Sequence, residues 1–309
     1  MRICFVGLGS IGRRHLYNLS SVLSRKGVEF TIDALRSGHH SLPSDIEVLV
    51  NRQYYDIEEL PDDYDIAFIC TPTANHYSDI KQMLVHTRHM FIEKPVFDRI
   101  YDLGDLNLKT DTIYYVACPL RYNAVLQYLK KYVKDKGIYA VRSICSSYLP
   151  EWRPGVDYRS LYSAHRVMGG GVSIDLIHEW DYLCWLFGFP QNVISYMGTY
   201  SKLEIDSDDL ALYLARYKEK MISVHLDYFG QSYKREIELF LDEDTVIGDI
   251  GNARIHFLKT GEIIDFKEDR NVYQLREIEH FLDLVEGKYI NDSSIIHAQT
   301  VLQIAKGEY

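Results

Sequence analysis

Between Met168 and Gly188 the chain reads MGGGVSIDLIHEWDYLCWLFG, a mostly apolar run that carries Asp175, His178, Glu179 and Asp181. An imidazole changes charge near neutral pH and can take or give a proton, and a carboxylate beside it can orient the ring. The chemistry this points to is general acid–base catalysis. In a helix each residue advances by about 100°, so Asp175 and His178 stand about 60° apart and Asp175 and Glu179 about 40° apart. Both pairs share a face. Asp181, six positions beyond Asp175 and so about 120° away, falls off that face and reads as a structural partner for a backbone or arginine group. A histidine in an apolar helix is commonly a hydrogen-bonded core residue. The triplet Gly169–Gly171 argues for more, because consecutive glycines suit close approach of the backbone to a ligand or a neighbouring loop.

The elements that position such a site begin at the N-terminus. Arg2 to Val6 is a short apolar run consistent with a buried parallel strand. GLGSIG follows, with Gly7, Gly9 and Gly12 in GxGxxG spacing, and then the helical pattern RRHLYNLSSVLSR. Gly7 permits the tight turn, Gly9 lets backbone approach a pyrophosphate, and Gly12 lets helix and strand pack closely. Free N–H groups of the helix N-terminus, from Ser10 and Ile11 onward, face the anion. This is a dinucleotide-binding pattern. The next strand, 28–36, selects the cofactor. A carboxylate at its tip would hold the ribose hydroxyl of NAD, whereas an arginine accommodates the 2′-phosphate of NADP. Asp33 lies near the usual offset, but the tip itself carries Arg36 and Ser37. NADP is therefore favoured over NAD, with ribose binding by Asp33 as the alternative.

Two more apolar strands follow. DIAFICTPTANH ends in Cys70, Thr71, Pro72 and His76, and HMFIEKPV ends in Glu93, Lys94 and Pro95. In an open parallel sheet ligands bind at the carboxyl ends of the strands, so both tips should face the cofactor. Lys94 then lies beside the nicotinamide.

GLGSIG, ICTPTANH, IEKP and the glycine triplet followed by Asp and His, in that order, resemble the Gfo/Idh/MocA oxidoreductase family. The resemblance covers nearly the whole chain. It implies a Rossmann domain, placed here at 1–119, followed by an α+β domain at 120–309 that carries an open, mostly antiparallel sheet. It also implies NAD(P)-dependent oxidation or reduction of a sugar, polyol or nucleotide sugar, with Lys94, Asp175 and His178 around the reacting carbon. The family spaces its Asp and His four apart. Here they are three apart, with Glu179 in the fourth place, so His178 and Glu179 both stand for the histidine's role. His178 is the candidate base, because an imidazole titrates near neutral pH; Lys94 steadies the developing alkoxide or, with its pKa depressed by burial, is itself the base, and Asp175 orients the ring or grips a neighbouring hydroxyl. Redox-assisted elimination or glycoside cleavage at the same site is an alternative, as is a cofactor-binding regulator or assembly partner without chemistry.

Arg121 and Tyr122, near the domain crossing, form an Arg-aromatic pair that the resemblance places near the cleft; a domain-interface bridge is the equal alternative. The loop EWRPGVDYRSLYSAHRVMGGG supplies Trp152, Arg153, Tyr158 and Arg159, with Tyr162, His165 and Arg166 further on. Aromatic faces suit sugar C–H surfaces, and arginine grips phosphate or carboxylate in a fork. The alternative is a surface loop packing on itself. Beyond Gly188 the pattern alternates with period two, as in half-buried antiparallel strands. The resemblance gives the free face of that sheet to subunit contact, hence a homo-dimer or tetramer. Two amphipathic helices close the chain.

The totals exclude other classes. Lys plus Arg is 34 against 44 for Asp plus Glu, a formal charge of −10, which argues against a nucleic-acid groove. The five scattered cysteines form no metal or disulfide pattern and suit a reducing compartment. No run approaches a membrane helix, so no membrane contact and a cytoplasmic location are expected.

Overall fold

The computed structural model describes residues 1–309, which divide into two compact units. The first unit comprises Met1–Ala117 and Gln274–Gln299. Its strands are β1 (Arg2–Val6), β2 (Thr31–Leu35), β3 (Arg52–Tyr54), β4 (Tyr64–Ile69), β5 (Thr87–Ile92) and β6 (Tyr114–Val116), and its helices include α1 (Ser10–Lys26), α2 (Ser44–Glu47) and α3 (His76–Met83). All six strands are parallel, in the order β3-β2-β1-β4-β5-β6. This is the doubly wound Rossmann order. The central strands are continuous apolar runs because both faces are covered. Phe5, Phe68 and Phe91 stack across β1, β4 and β5 with centroids 4.6 and 4.8 Å apart. The chain leaves α1 through Gly27 at φ 66°, whose N–H closes on the Leu23 and Ser24 carbonyls, a left-handed cap that glycine adopts without steric cost.

The second unit comprises Cys118–Tyr273 and Thr300–Tyr309. It holds α4 (Ala124–Tyr132), β7 (Ile138–Ser146), α5 (Val172–Asp175), α6 (His178–Phe187), β8 (Asn192–Gly198), β9 (Leu210–Arg216), β10 (Met221–Asp227), β11 (Lys234–Leu241), β12 (Thr245–Asp249), β13 (Arg254–Phe257) and β14 (Ile263–Asp265). The sheet order is β14-β13-β12-β11-β7-β10-β9-β8, antiparallel except for the β7–β10 pair. Inward residues of β9 (Ala211, Tyr213, Ala215) are buried and outward ones exposed. Helix α6 covers the inner face: Trp180 meets Tyr213 edge-on at 5.3 Å, and the Tyr182 hydroxyl pairs with Ser143 of β7 at 2.7 Å. The other face stays open, with Ile194 54%, Tyr196 71% and Leu214 47% exposed.

The last helices, α7 (Arg270–Val285) and α8 (Ile295–Ala305), correct the expectation of a single cut at 119/120. Residues Gln274–Gln299 return to the first unit. The reason is aromatic: Phe281 packs against Phe68, Phe91 and Tyr115, and the Tyr115 hydroxyl donates to Glu277 at 3.1 Å. Strand β3, three residues long and polar, does not announce itself in the sequence, and no helix is long and apolar enough to cross a membrane.

Candidate active site

The glycine loop divides its labour as the spacing predicts. Gly7 sits at φ 90°, and a Cβ there would come within 3.0 Å of the Thr71 backbone N. A Cβ on Gly12 would lie 2.4 Å from the Gly7 carbonyl oxygen, so the helix packs against the loop only through glycine. Around Gly9 there is nothing within 4 Å of the position a Cβ would take. Gly9 also opens α1 without a side-chain cap, and no acidic residue stands in the helix's first turn. Open space before uncapped N–H groups is what a pyrophosphate requires. The residues present therefore fit a dinucleotide, which Gly7, Gly9, Ser10, Ile11 and Gly12 would hold.

At the tip of β2, Arg36 hydrogen-bonds the Gln53 side chain and the His40 carbonyl, and Ser37 is exposed. Asp33 is different. It sits mid-strand opposite Cys4, 4% exposed, and accepts the Tyr64 hydroxyl at 2.8 Å. Its carboxylate is taken up in the interior of the unit.

The two neighbouring strand tips are tied together by His76. Its Nδ1 lies 3.1 Å from the Pro95 carbonyl oxygen and its Nε2 2.9 Å from that of Thr71. His76 is 1% exposed, so the expected cofactor contact becomes a strut between the turns. Thr71 donates its hydroxyl to Asp79, and Pro72 is exposed. Cys70 packs beneath Gly12, and burial, with the nearby Glu93 charge, pushes its thiol well up, so it stays protonated. Glu93 is buried while Lys94 is half-buried, and the peptide joining Lys94 to Pro95 is cis.

In the second unit the helix over 172–187 is broken. Segment α5 ends at Asp175 and α6 begins at His178, with Leu176 between them at φ −97°, ψ 26°. The angles computed for one continuous helix do not hold across this break. The glycine triplet answers to a neighbouring loop: a Cβ on Gly170 would meet the Tyr162 carbonyl at 2.0 Å, and one on Gly171 the Asp208 carboxylate at 2.3 Å. Asp208 in turn accepts the Ser173 N–H at 2.9 Å through its carboxylate.

Asp175 is buried and doubly held. Tyr162 donates its hydroxyl to Oδ1 at 2.6 Å, and Tyr228 donates to Oδ2 at 2.5 Å. Burial, reinforced by the Asp175 charge, raises both phenols well above their ordinary range, so they remain donors. Trp152 stands edge-on to Tyr228 at 5.2 Å and donates its indole N–H to Ser147. His178 is half-buried at the first position of α6. Glu179 is fully buried and faces the sheet, where Arg235 of β11 holds it at 2.7 Å. Its carboxylate belongs to the helix–sheet packing. Sequence reading missed Tyr228, which lies just beyond a strand with no motif around it.

Arg121 is 1% exposed, and its Nε and Nη2 reach both oxygens of Asp181 at 2.9 and 2.6 Å. Both residues lie in the second unit, so the pair is internal to that unit, and it gives Asp181 the arginine partner its position called for. In the loop, Arg159 is neutralised by Asp157 and Glu204 at 2.9 and 3.3 Å, and the Tyr158 hydroxyl accepts the Glu204 N–H. Arg153 is exposed, and its charge reaches the Tyr162 phenol.

Comparison with known proteins places this arrangement. Residues 1–116 match the model of an oxidoreductase family with an NAD-binding Rossmann fold, and residues 126–259 match the GFO/IDH/MocA C-terminal domain. The chain belongs to the Gfo/Idh/MocA oxidoreductase family. Within that family it is 27% identical over 188 residues to the uncharacterized oxidoreductase YrbE of Bacillus subtilis, an alignment covering 59% of this chain and only 52% of that protein. It is 23% identical over 265 residues to myo-inositol 2-dehydrogenase of Thermotoga maritima, covering 81% of this chain and 75% of that one. The fold is shared with the WlbA dehydrogenase of Bordetella pertussis, solved with NADH and UDP-GlcNAcA, at a TM-score of 0.78 and 18% identity over 100% of this chain and 95% of that one. As a Gfo/Idh/MocA oxidoreductase, the chain carries an NAD-binding Rossmann domain over residues 1–116.

Proposed function

We propose that this oxidoreductase interconverts a secondary alcohol and a ketone on a sugar, polyol or nucleotide sugar, with NADP favoured as its cofactor. The observation that carries the reading is the Asp175 carboxylate, buried at the start of the glycine-led helix and fixed by two tyrosine hydroxyls. A bound nicotinamide supplies the hydride acceptor. His178 takes the hydroxyl proton as the carbon loses its hydride, and returns it in the reverse direction. Lys94 stabilises the negative charge that develops on that oxygen. Asp175, immobilised by Tyr162 and Tyr228, orients the imidazole or accepts a neighbouring substrate hydroxyl. Arg153, an exposed loop cation without an ion pair, is suited to an anionic group on the substrate. The relatives named above support a sugar-like substrate: one acts on myo-inositol and another was solved with a nucleotide sugar.

Arg36 at the tip of β2, together with an Asp33 turned to other work, supports NADP. The open face of the eight-stranded sheet, with Ile194, Tyr196 and Leu214 exposed, supports self-association into a dimer or tetramer through that face. Light scattering on Leu214→Glu tests it: the wild type should be oligomeric and the variant smaller, and a monomeric wild type contradicts it. For the activity, purified protein with NADP or NAD is offered a panel of sugars, polyols, sugar acids and nucleotide sugars while reduced nicotinamide is followed by absorbance. Reduction with a subset of the panel is the expected result. Tight cofactor binding with no reduction by any member, and no oxidation of reduced cofactor by the corresponding ketones, would overturn the reading.

A further inference from the structure

Glu93 precedes the lysine to which the reaction is assigned, and it is buried with both oxygens in use. Oε2 accepts the backbone N–H of Lys94 at 3.1 Å, and Oε1 accepts from His15 Nε2, since a carboxylate can only accept. His15 lies on α1, three residues after Gly12, on the helix whose open N-terminus receives the dinucleotide. Its ring is 3% exposed and stands edge-on to Phe91 of β5 at 4.9 Å, on the strand that leads into Glu93. The other ring nitrogen, Nδ1, is buried with no partner. A position that needed only bulk would be filled more cheaply by an apolar side chain, because a buried polar group without a partner is costly. Burial works against the Glu93 charge, yet the His15 hydrogen bond and nearby Lys94 hold the carboxyl below its usual value. The far side of the same turn is fixed by His76 to Pro95 and Thr71, so His15 supplies the tie to the helix.

We infer that His15 is a positioning residue that clamps the Lys94 turn to the cofactor helix, through Glu93, so that dinucleotide docking at α1 and placement of Lys94 are coupled. The inference rests on the reading of Lys94 as the reacting cation. Its signature is a turn that tightens when cofactor binds, and does so only while the His15–Glu93 bond is present.

Hydrogen–deuterium exchange of the full-length protein over residues 91–97, with and without saturating NADPH, reads the clamp directly. In the wild type, cofactor should slow exchange at the Lys94 amide. In His15→Phe that amide should exchange about tenfold faster or more, as expected for loss of a hydrogen bond to a charged group, with no further slowing by cofactor. His15→Gln, which keeps an N–H donor, should recover most of the protection. Unchanged exchange in His15→Phe, or equal slowing by cofactor in both proteins, would overturn the inference. Should His15→Phe fail to fold, the imidazole nitrogen resonances of the wild type decide. A cofactor-dependent shift at His15 Nε2 supports the coupling, and its absence overturns it. Lys94→Ala separates the two readings: normal turnover in that variant would remove the catalytic role of Lys94, whereas the exchange result stands or falls without it.

Discussion

Tyr228 donates its hydroxyl to Asp175 at 2.5 Å from just beyond the end of β10, while Tyr162 donates to the other oxygen at 2.6 Å. Each bond is charge-assisted and fixes one side of the carboxylate. Tyr228→Phe keeps the ring against Trp152 and removes only the donor. It should cost about 1.5–3 kcal/mol of stability and lower kcat roughly tenfold. Tyr162 is 42% exposed, so Tyr162→Phe should cost less stability and act mainly on kcat. Urea unfolding and steady-state kinetics on both variants check this.

Glu179 and Arg235 form a buried ion pair between α6 and β11. Glu179→Ala leaves a guanidinium enclosed without its counter-charge, which should destabilise the protein by about 3–5 kcal/mol. Cofactor affinity of the folded fraction should stay unchanged. A variant that unfolds like the wild type but loses turnover would instead make Glu179 the acid–base group.

Acid stability should follow two depressed carboxyls. Burial opposes the charge of Asp227, but His225, Ser146 and the N–H groups of Gly230 and Phe229 bring it below its reference of 3.8. Glu93 lies below its reference of 4.5 for the reasons given above. A folded value below the unfolded one contributes stability that is complete above the unfolded value and is lost as pH falls through the folded one. Thermal unfolding should therefore be steady above about pH 5 and fall steeply below the two reference values. Asp227→Asn should flatten that acid limb, and an unaltered limb would contradict the assignment.

Arg36→Ala should weaken NADPH about 10- to 100-fold, the loss of a charge-assisted hydrogen bond, and leave NADH nearly unchanged. Fluorescence titration of both cofactors reads it. Equal weakening of both, or of neither, would return the ribose to another group.

Much of this was legible because the informative positions are fixed by backbone chemistry. Gly7 and Gly12 have roles set by what a Cβ would strike, Gly9 by the open space before the helix, and the apolar runs of β1, β4 and β5 suit burial on both faces of a parallel sheet. Tyr228 and His15 were not legible, since each matters through a partner more than fifty residues away. The broken helix at Leu176 was hidden too: no glycine or proline marks it, and the neighbouring loop's Asp208, by accepting the Ser173 N–H, organises the short segment separately. The return of Gln274–Gln299 to the first unit depends on Phe281 finding three aromatic rings from distant strands, which periodicity does not reveal.

The most direct test of the central claim is the single-turnover rate of hydride transfer with a substrate identified from the panel, in wild type, Lys94→Ala and His178→Ala. The account predicts that each variant binds cofactor normally and transfers hydride about a hundredfold more slowly or worse. Hydride transfer at the wild-type rate in both variants would contradict it.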